Sequence, residues 1–159
     1  MTNHEIAQRL AIRELIDTFS NLADEKDVAG QIPLFTADAH INVVMDGKEV
    51  FDLKGQQQIL DAFSGYLAQF SVVYHINGQQ TVNIDGHAAS GIAYCQVVLI
   101  KEENGQRIKQ TSGVRYHDRY VFLNGEWLIA ERLSNFMWTD IQPMQQNRSL
   151  CNKTLSTPI

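Results

Sequence analysis

Apolar residues recur at three- and four-residue spacing near the start of the chain: Ile12, Leu15, Ile16, Phe19, Leu22 and Ala23. That period places one apolar stripe along an α-helix and leaves the other positions polar. Upstream, Thr2 and Glu5 have the spacing of a capping box, in which each side chain satisfies an unpaired amide of the first turn. A short second helix is predicted from Asp27, with Val28, Ile32 and Phe35 turned inward. Pro33 keeps it short or irregular, because proline inside a helix removes an amide donor. A third helix, "GQQQILDAFSGYLAQF", opens at Gly55 and carries Ile59, Phe63, Leu67 and Phe70 on one face.

The remaining patterned segments read as strands. Asn-Gly and Asp-Gly pairs are strong hairpin signals, since both residues tolerate positive φ. Five occur, at Asp46-Gly47, Asn77-Gly78, Asp85-Gly86, Asn104-Gly105 and Asn124-Gly125. Strands joined by such turns are antiparallel, so residues 72–138 are expected to form a meander. In "SGVRYHDRYVFLNGEW" one phase is Val114, Tyr116, Asp118, Tyr120 and Phe122, and the other is Arg115, His117 and Arg119. Alternate side chains of a strand point to opposite faces, so the first phase is buried and the second is a solvated face or subunit contact. Helices first and most of the sheet second define an α+β class, with helices packed on one face of a strongly bent, mainly antiparallel sheet.

Composition narrows the function classes. The 159 residues, 44% of them apolar, suffice for one domain with a substantial core, assigned to residues 1–142. Residues 143–159 form a polar, patternless tail, either disordered or an arm that contacts a partner. A net charge of −5 argues against nucleic-acid binding. The chain shows neither an apolar run of membrane-spanning length nor the basic-then-apolar order of a secretory signal, so a soluble cytoplasmic protein is expected. Cys95 and Cys151 lack disulfide-framework or zinc-finger spacing. Nucleophile-elbow, phosphate-loop, dinucleotide and zinc-protease motifs are absent from the sequence.

Candidate chemistry lies in polar residues on apolar faces. Asp118 has two readings: paired with an arginine such as Arg132, or a carboxyl kept partly neutral by burial and able to move a proton. His75 lies in "SVVYHINGQQ" with an ambiguous phase, as a structural residue or a near-neutral acid–base group. Asp24, where the first helix ends, is a cap or turn carboxylate on sequence grounds alone.

The order of a long helix, then "NLADEKDVAGQIPLFTADAHINV", then a helix and a meander ending "YHDRYVFLNGEWLIAERL", resembles the SnoaL-like branch of the NTF2-like superfamily. The resemblance covers roughly residues 5–140 and implies a cone-like α+β barrel around a hydrophobic pocket, often in a homodimer. The superfamily includes scytalone dehydratase, bile-acid dehydratases, ketosteroid isomerase and polyketide cyclases. Their dehydratases pair a carboxylate at the end of helix 1 with a histidine in the strand after helix 3, positions that fall at Asp24 and His75. An acidic residue of the isomerase falls at Asp118, and substrate contacts of scytalone dehydratase fall at Val114 and Tyr116. Phe19 stands where a helix-1 tyrosine is common in these groups, and Asn135 completes the ligand-contact set.

Other positions depart from the pattern: Val43 replaces the isomerase base, and Leu99 a second histidine of scytalone dehydratase. The resemblance implies a lyase (dehydratase) or isomerase that acts without metal or organic cofactor on a small hydrophobic cyclic compound. The alternatives are a non-catalytic pocket for a hydrophobic molecule, or an accessory subunit like the small subunits of ring-hydroxylating dioxygenases. The strand "AASGIAYCQVVLI", apolar in both phases, suggests that a second copy covers the outer sheet face.

Overall fold

The protein is described here as a computed structural model covering residues 1–145. Helix α1 spans Asn3–Asp24, and the Thr2–Glu5 capping box forms as the spacing requires. Asp27 caps the short helix α2 (Val28–Gln31), and Pro33 falls in the 3-10 turn Ile32–Leu34 that follows. The chain then forms β1 (Phe35–Met45) and β2 (Lys48–Lys54), followed by α3 (Gln56–Leu67). Gly55 begins α3 at φ 80, a left-handed value that a side chain would strain. Strands β3 (Val72–Asp85), β4 (Ala88–Glu103), β5 (Gln106–Leu123) and β6 (Glu126–Pro143) form the expected meander. The tail assignment overlaps β6 at its start, and residues 146–159, Cys151 among them, lie outside the described residues.

The six strands lie in the order β2-β1-β6-β5-β4-β3. Only the β1–β6 pair is parallel; the others are antiparallel. Strands β2 and β3 are edges, so the sheet is open rather than a closed barrel. Four of the five Gly-containing turns connect strands as expected, with both residues at positive φ in Asp46-Gly47, Asn104-Gly105 and Asn124-Gly125. Asn77-Gly78 does not turn the chain. It lies inside β3, where the register shifts between Asn77 and Gln80 and leaves a bulge opposite β4.

That bulge docks α1. Arg13, Asp17, Ser20 and Asp24 recur at helical spacing and form a polar stripe facing β3. Arg13 donates to the Gly78 carbonyl at 2.7 Å, and Asn77 Nδ2 donates to Asp17 at 2.8 Å. Ser20 donates to Asn77 Oδ1 at 3.0 Å. One helical turn beyond Ser20, Asp24 reaches His75. The strand bends at a pair of residues whose exposed polar groups hold the helix, and this sets the register of everything further along the stripe.

Two apolar clusters fill the space between helices and sheet. One gathers Ile12, Leu15, Ile16, Phe19, Phe35, Ile41, Ile59, Trp127 and Ile129. The other gathers Ala23, Val28, Leu67, Phe70, Val73, Val97, Leu99, Val114 and Tyr116. Phe19, Phe35 and Phe63 meet edge to face, with ring centroids 5.9–6.4 Å apart, the arrangement that aromatic quadrupoles favour. Among the described residues no helix is long and apolar enough to cross a membrane.

Candidate functional site

A cavity of about 120 Å³ lies where the two clusters meet. Its wall is mostly apolar, with Phe19, Phe63, Leu67, Leu99 and Phe136 among the lining residues. The polar side chains on it are Gln31, Tyr66, His75, Tyr116 and Ser134. The strand phase of His75, ambiguous in sequence, is resolved: Val73 is buried, while Tyr74 and Ile76 are exposed on the other face.

His75 and Asp24 form a pair. The Nδ1 atom lies 2.6 Å from Asp24 Oδ1, and the His75 backbone amide donates to Asp24 Oδ2 at 3.1 Å. A carboxylate offers only lone pairs, so Nδ1 is the donor; in the neutral ring the lone pair then lies on Nε2. Asp24 is not among the cavity-lining residues and His75 is, so Nε2 is the ring nitrogen left for a ligand. The side chain of His75 is 9% exposed and that of Asp24 27%. The carboxylate therefore acts through the imidazole: it fixes tautomer and ring orientation, and the imidazole meets whatever enters.

Asp118 is placed differently. Its carboxylate accepts from Arg132 Nε and Nη2, each at 2.8 Å, and from the Tyr120 hydroxyl at 2.7 Å. Both side chains of the ion pair are essentially inaccessible, 1% for Arg132 and 0% for Asp118. This is the arginine-paired arrangement, and it occupies the carboxylate fully. Asp118 is not on the cavity wall, a correction to its expected place in the ligand site. Its connection to the cavity is indirect. The Arg132 guanidinium stacks 4.0 Å from the Tyr116 ring centroid and 4.6 Å from that of Phe19, so the ion pair supports two wall residues from behind. Burial lowers the proton affinity of Arg132, but the adjoining Asp118 carboxylate outweighs it and holds the guanidinium above its ordinary range. Burial likewise pushes the Tyr116 and Tyr120 hydroxyls well up, so both stay protonated, and Tyr120 spends its proton on Asp118.

Of the other candidates, Phe19 and Tyr116 line the cavity. Val114 is buried in the second cluster but is not on the wall. Asn135 lies opposite Arg115 in the β5–β6 ladder, between the lining residues Ser134 and Phe136, and is not itself a lining residue. Its expected ligand contact is corrected by strand alternation, which sends it to the outer face. Beside Tyr116, burial pushes the Cys95 thiol from an ordinary 9.0 up to about 11. Among the described residues, no cluster of three or more His, Cys, Asp or Glu is arranged to hold a metal ion.

The sequence reading passed over Gln31, Tyr66 and Ser134. Gln31 carried a usable signal: it lies three positions after Val28, on the inward stripe of α2. Ser134 did not, because the inward phase of β6 changes along its length.

The fold thus places a histidine–carboxylate pair beside an apolar cavity between an open sheet and the helices packed on it. The profile of the SnoaL-like domain matches residues 4–133, and the chain belongs to that family. The fold is NTF2-like. A candidate scytalone dehydratase from Novosphingobium aromaticivorans superposes with a TM-score of 0.78 at 17% identity, covering 91% of this chain and 94% of that one. A type 2 hexachlorocyclohexane dehydrochlorinase, LinA, gives 0.72 at 17% identity, covering 89% and 91%. In sequence, the uncharacterized protein Rv2910c of Mycobacterium tuberculosis is 28% identical over 130 residues, 81% of this chain and 85% of its own length.

Proposed function

We propose that the protein is a lyase of the dehydratase type, or an isomerase, acting on a small hydrophobic cyclic compound without metal or organic cofactor. The observation that carries this reading is the Asp24–His75 pair, with Nδ1 at 2.6 Å from the carboxylate and the imidazole on the wall of an apolar cavity. His75 Nε2 takes a proton from the ring compound, and Asp24 stabilises the imidazolium that forms. Tyr116, kept protonated by burial, is placed on the same wall to donate to the oxygen that leaves or gains charge. General acid–base catalysis of this kind contributes on the order of 10²–10⁴ in rate. The two named solved relatives are a candidate dehydratase and a dehydrochlorinase, both eliminating enzymes by their names. On a verified substrate, His75→Asn is expected to lose most of its turnover while its melting temperature stays near that of the parent. Full turnover in that variant would end the acid–base reading.

A second reading, a binding pocket without chemistry, draws support from the cavity wall. Phe19 supplies no hydroxyl where the resemblance expects a tyrosine, Leu99 supplies no second imidazole, and Asp118 is engaged by Arg132. Tight binding of a ring compound that is recovered unchanged would favour it. Under either reading the outer sheet face pairs two copies of the chain, since Tyr94, Leu133 and Trp138 leave large apolar side chains exposed. Light scattering that gives a monomer mass at micromolar concentration would remove that part of the proposal.

A further inference from the structure

The charges of this molecule stop short of its cavity. Among the described residues, the cavity wall carries no Asp, Glu, Lys or Arg, and His75 is its only basic side chain. An arginine nevertheless lies directly behind that wall. Arg132 is 2% exposed, and its guanidinium lies 4.6 Å from the ring centroid of Phe19 and 4.0 Å from that of Tyr116. Both rings line the cavity and Arg132 does not. Asp118 takes the protons of Nε and Nη2, while Nη1 is sealed with no hydrogen-bond partner among the described residues. The cation is therefore covered by two wall rings and neutralised by one carboxylate, and it offers nothing to a molecule in the cavity. On the side of His75 the nearest carboxyl is Asp24, a group of the same sign as an anionic ligand.

We infer that the cavity admits only uncharged ligands, and that Phe19 is the specificity-determining residue that makes it so, by covering Arg132. The inference rests on reading the cavity as a ligand site and adds to that reading the charge state of the ligand. An ionised group moved from water into an apolar cavity must find a counterion there or bind very weakly. The one buried cation within reach is screened by rings and already paired, so an anion entering this cavity loses its water and gains no partner. Tyr116 covers the guanidinium as well, but it also brings a hydroxyl to the wall. Phe19 contributes a ring alone, from a helix rather than from the strands that carry the ion pair, so the cover can be changed there without touching the polar groups of the wall. Size sets the scale of a probe: about 120 Å³ is close to the roughly 150 Å³ apolar cavity that accommodates benzene, which points to a single ring.

Benzamide and benzoate have nearly the same shape and, at about pH 7, differ in charge. Calorimetric titration of the unmodified protein is expected to favour benzamide by roughly a hundredfold or more. A preference below about tenfold, or no saturable binding of benzamide, overturns the inference. Phe19→Leu keeps the position apolar and takes the ring away from the guanidinium. It is expected to raise the benzoate-to-benzamide affinity ratio by about tenfold or more, as an ion pair with a partly uncovered Arg132 would. An unchanged ratio in the folded variant overturns the role of Phe19. Because loosened packing alone could admit both probes, a second readout is the Arg132 Nε–H resonance, which should shift with benzoate in Phe19→Leu and stay still in the unmodified protein. A resonance that benzoate leaves unmoved in both proteins also overturns the role of Phe19. Should Phe19→Leu fail to fold, Phe19→Met supplies the same two measurements with a side chain closer in length. These titrations need no turnover. A strong preference for benzamide together with full turnover in His75→Asn keeps the inference and removes the acid–base reading. Equal binding of both probes with turnover lost in His75→Asn does the reverse.

Discussion

Two carboxylates lie within the same fold and do opposite things. Asp24 is partly exposed at the end of a helix and gives both oxygens to one histidine, through the ring at 2.6 Å and the backbone amide at 3.1 Å. Asp118 is sealed in the interior and gives its oxygens to a guanidinium and a tyrosine. The first pair contains an imidazole, whose two ring nitrogens can donate and accept; the second contains a guanidinium, which can only donate. A carboxylate on an apolar face is therefore a poor guide to chemistry by itself. What distinguishes the two is the partner, and whether the partner meets the cavity.

The comparison breaks hardest at Asp24. Both of its oxygens accept, so an amide in its place must turn a donor toward either the ring nitrogen or the backbone N–H. Asp24→Asn is expected to lose roughly 10²–10⁴ of turnover on a verified substrate, with little loss of stability, as a misoriented or wrongly protonated imidazole would. Turnover close to the parent's would make Asp24 a helix-end carboxylate and nothing more. Asp118→Ala leaves Arg132 buried and uncompensated, and the expected cost is about 3–5 kcal/mol in urea denaturation. A loss below about 1 kcal/mol would mean that the ion pair does not support the wall.

The smallest effect concerns pH. The Cys95 thiol is raised to about 11 in the folded protein, so between its ordinary 9.0 and 11 the unfolded chain loses a proton that the folded chain keeps. Stability from this group is complete below pH 9 and falls as pH rises toward 11, by on the order of 2 kcal/mol at most. In a Cys151→Ser background, Cys95→Ala should flatten that part of the alkaline limb; an unchanged slope would assign it to the buried tyrosines.

How far the sequence could be read depended on where the bulges fall. In β5 the inward positions Ser112, Val114, Tyr116, Asp118 and Tyr120 stay in one phase, because both register shifts with β6 place the extra residue on β6. Alternation therefore identified the face of Asp118 correctly. In β6 the buried set changes from Trp127 and Ile129 to Arg132 and Ser134 across the shift at Ala130. No periodic reading follows such a change, and Asn135 falls on the outward phase between Ser134 and Phe136. Asn77-Gly78 misled for a related reason: residues that favour tight turns also favour bulges, and helix docking decided between them. The Asp24–His75 proximity came from family resemblance, since 51 residues separate the two and no local pattern connects them. Gln31 could have been found from helical spacing, three positions after Val28.

The polar stripe of α1 carries a constraint on how this domain can vary. Each residue added to a helix turns everything beyond it by about 100° and advances it by about 1.5 Å. Asp24 is the last rung of a series that begins at Arg13, so a single insertion or deletion between them would swing the carboxylate away from His75 even if every side chain were kept. Substitutions on the exposed side of the same segment leave that angle untouched. Across descendants of this chain, the count of residues from Arg13 to Asp24 should be more invariant than the residues themselves.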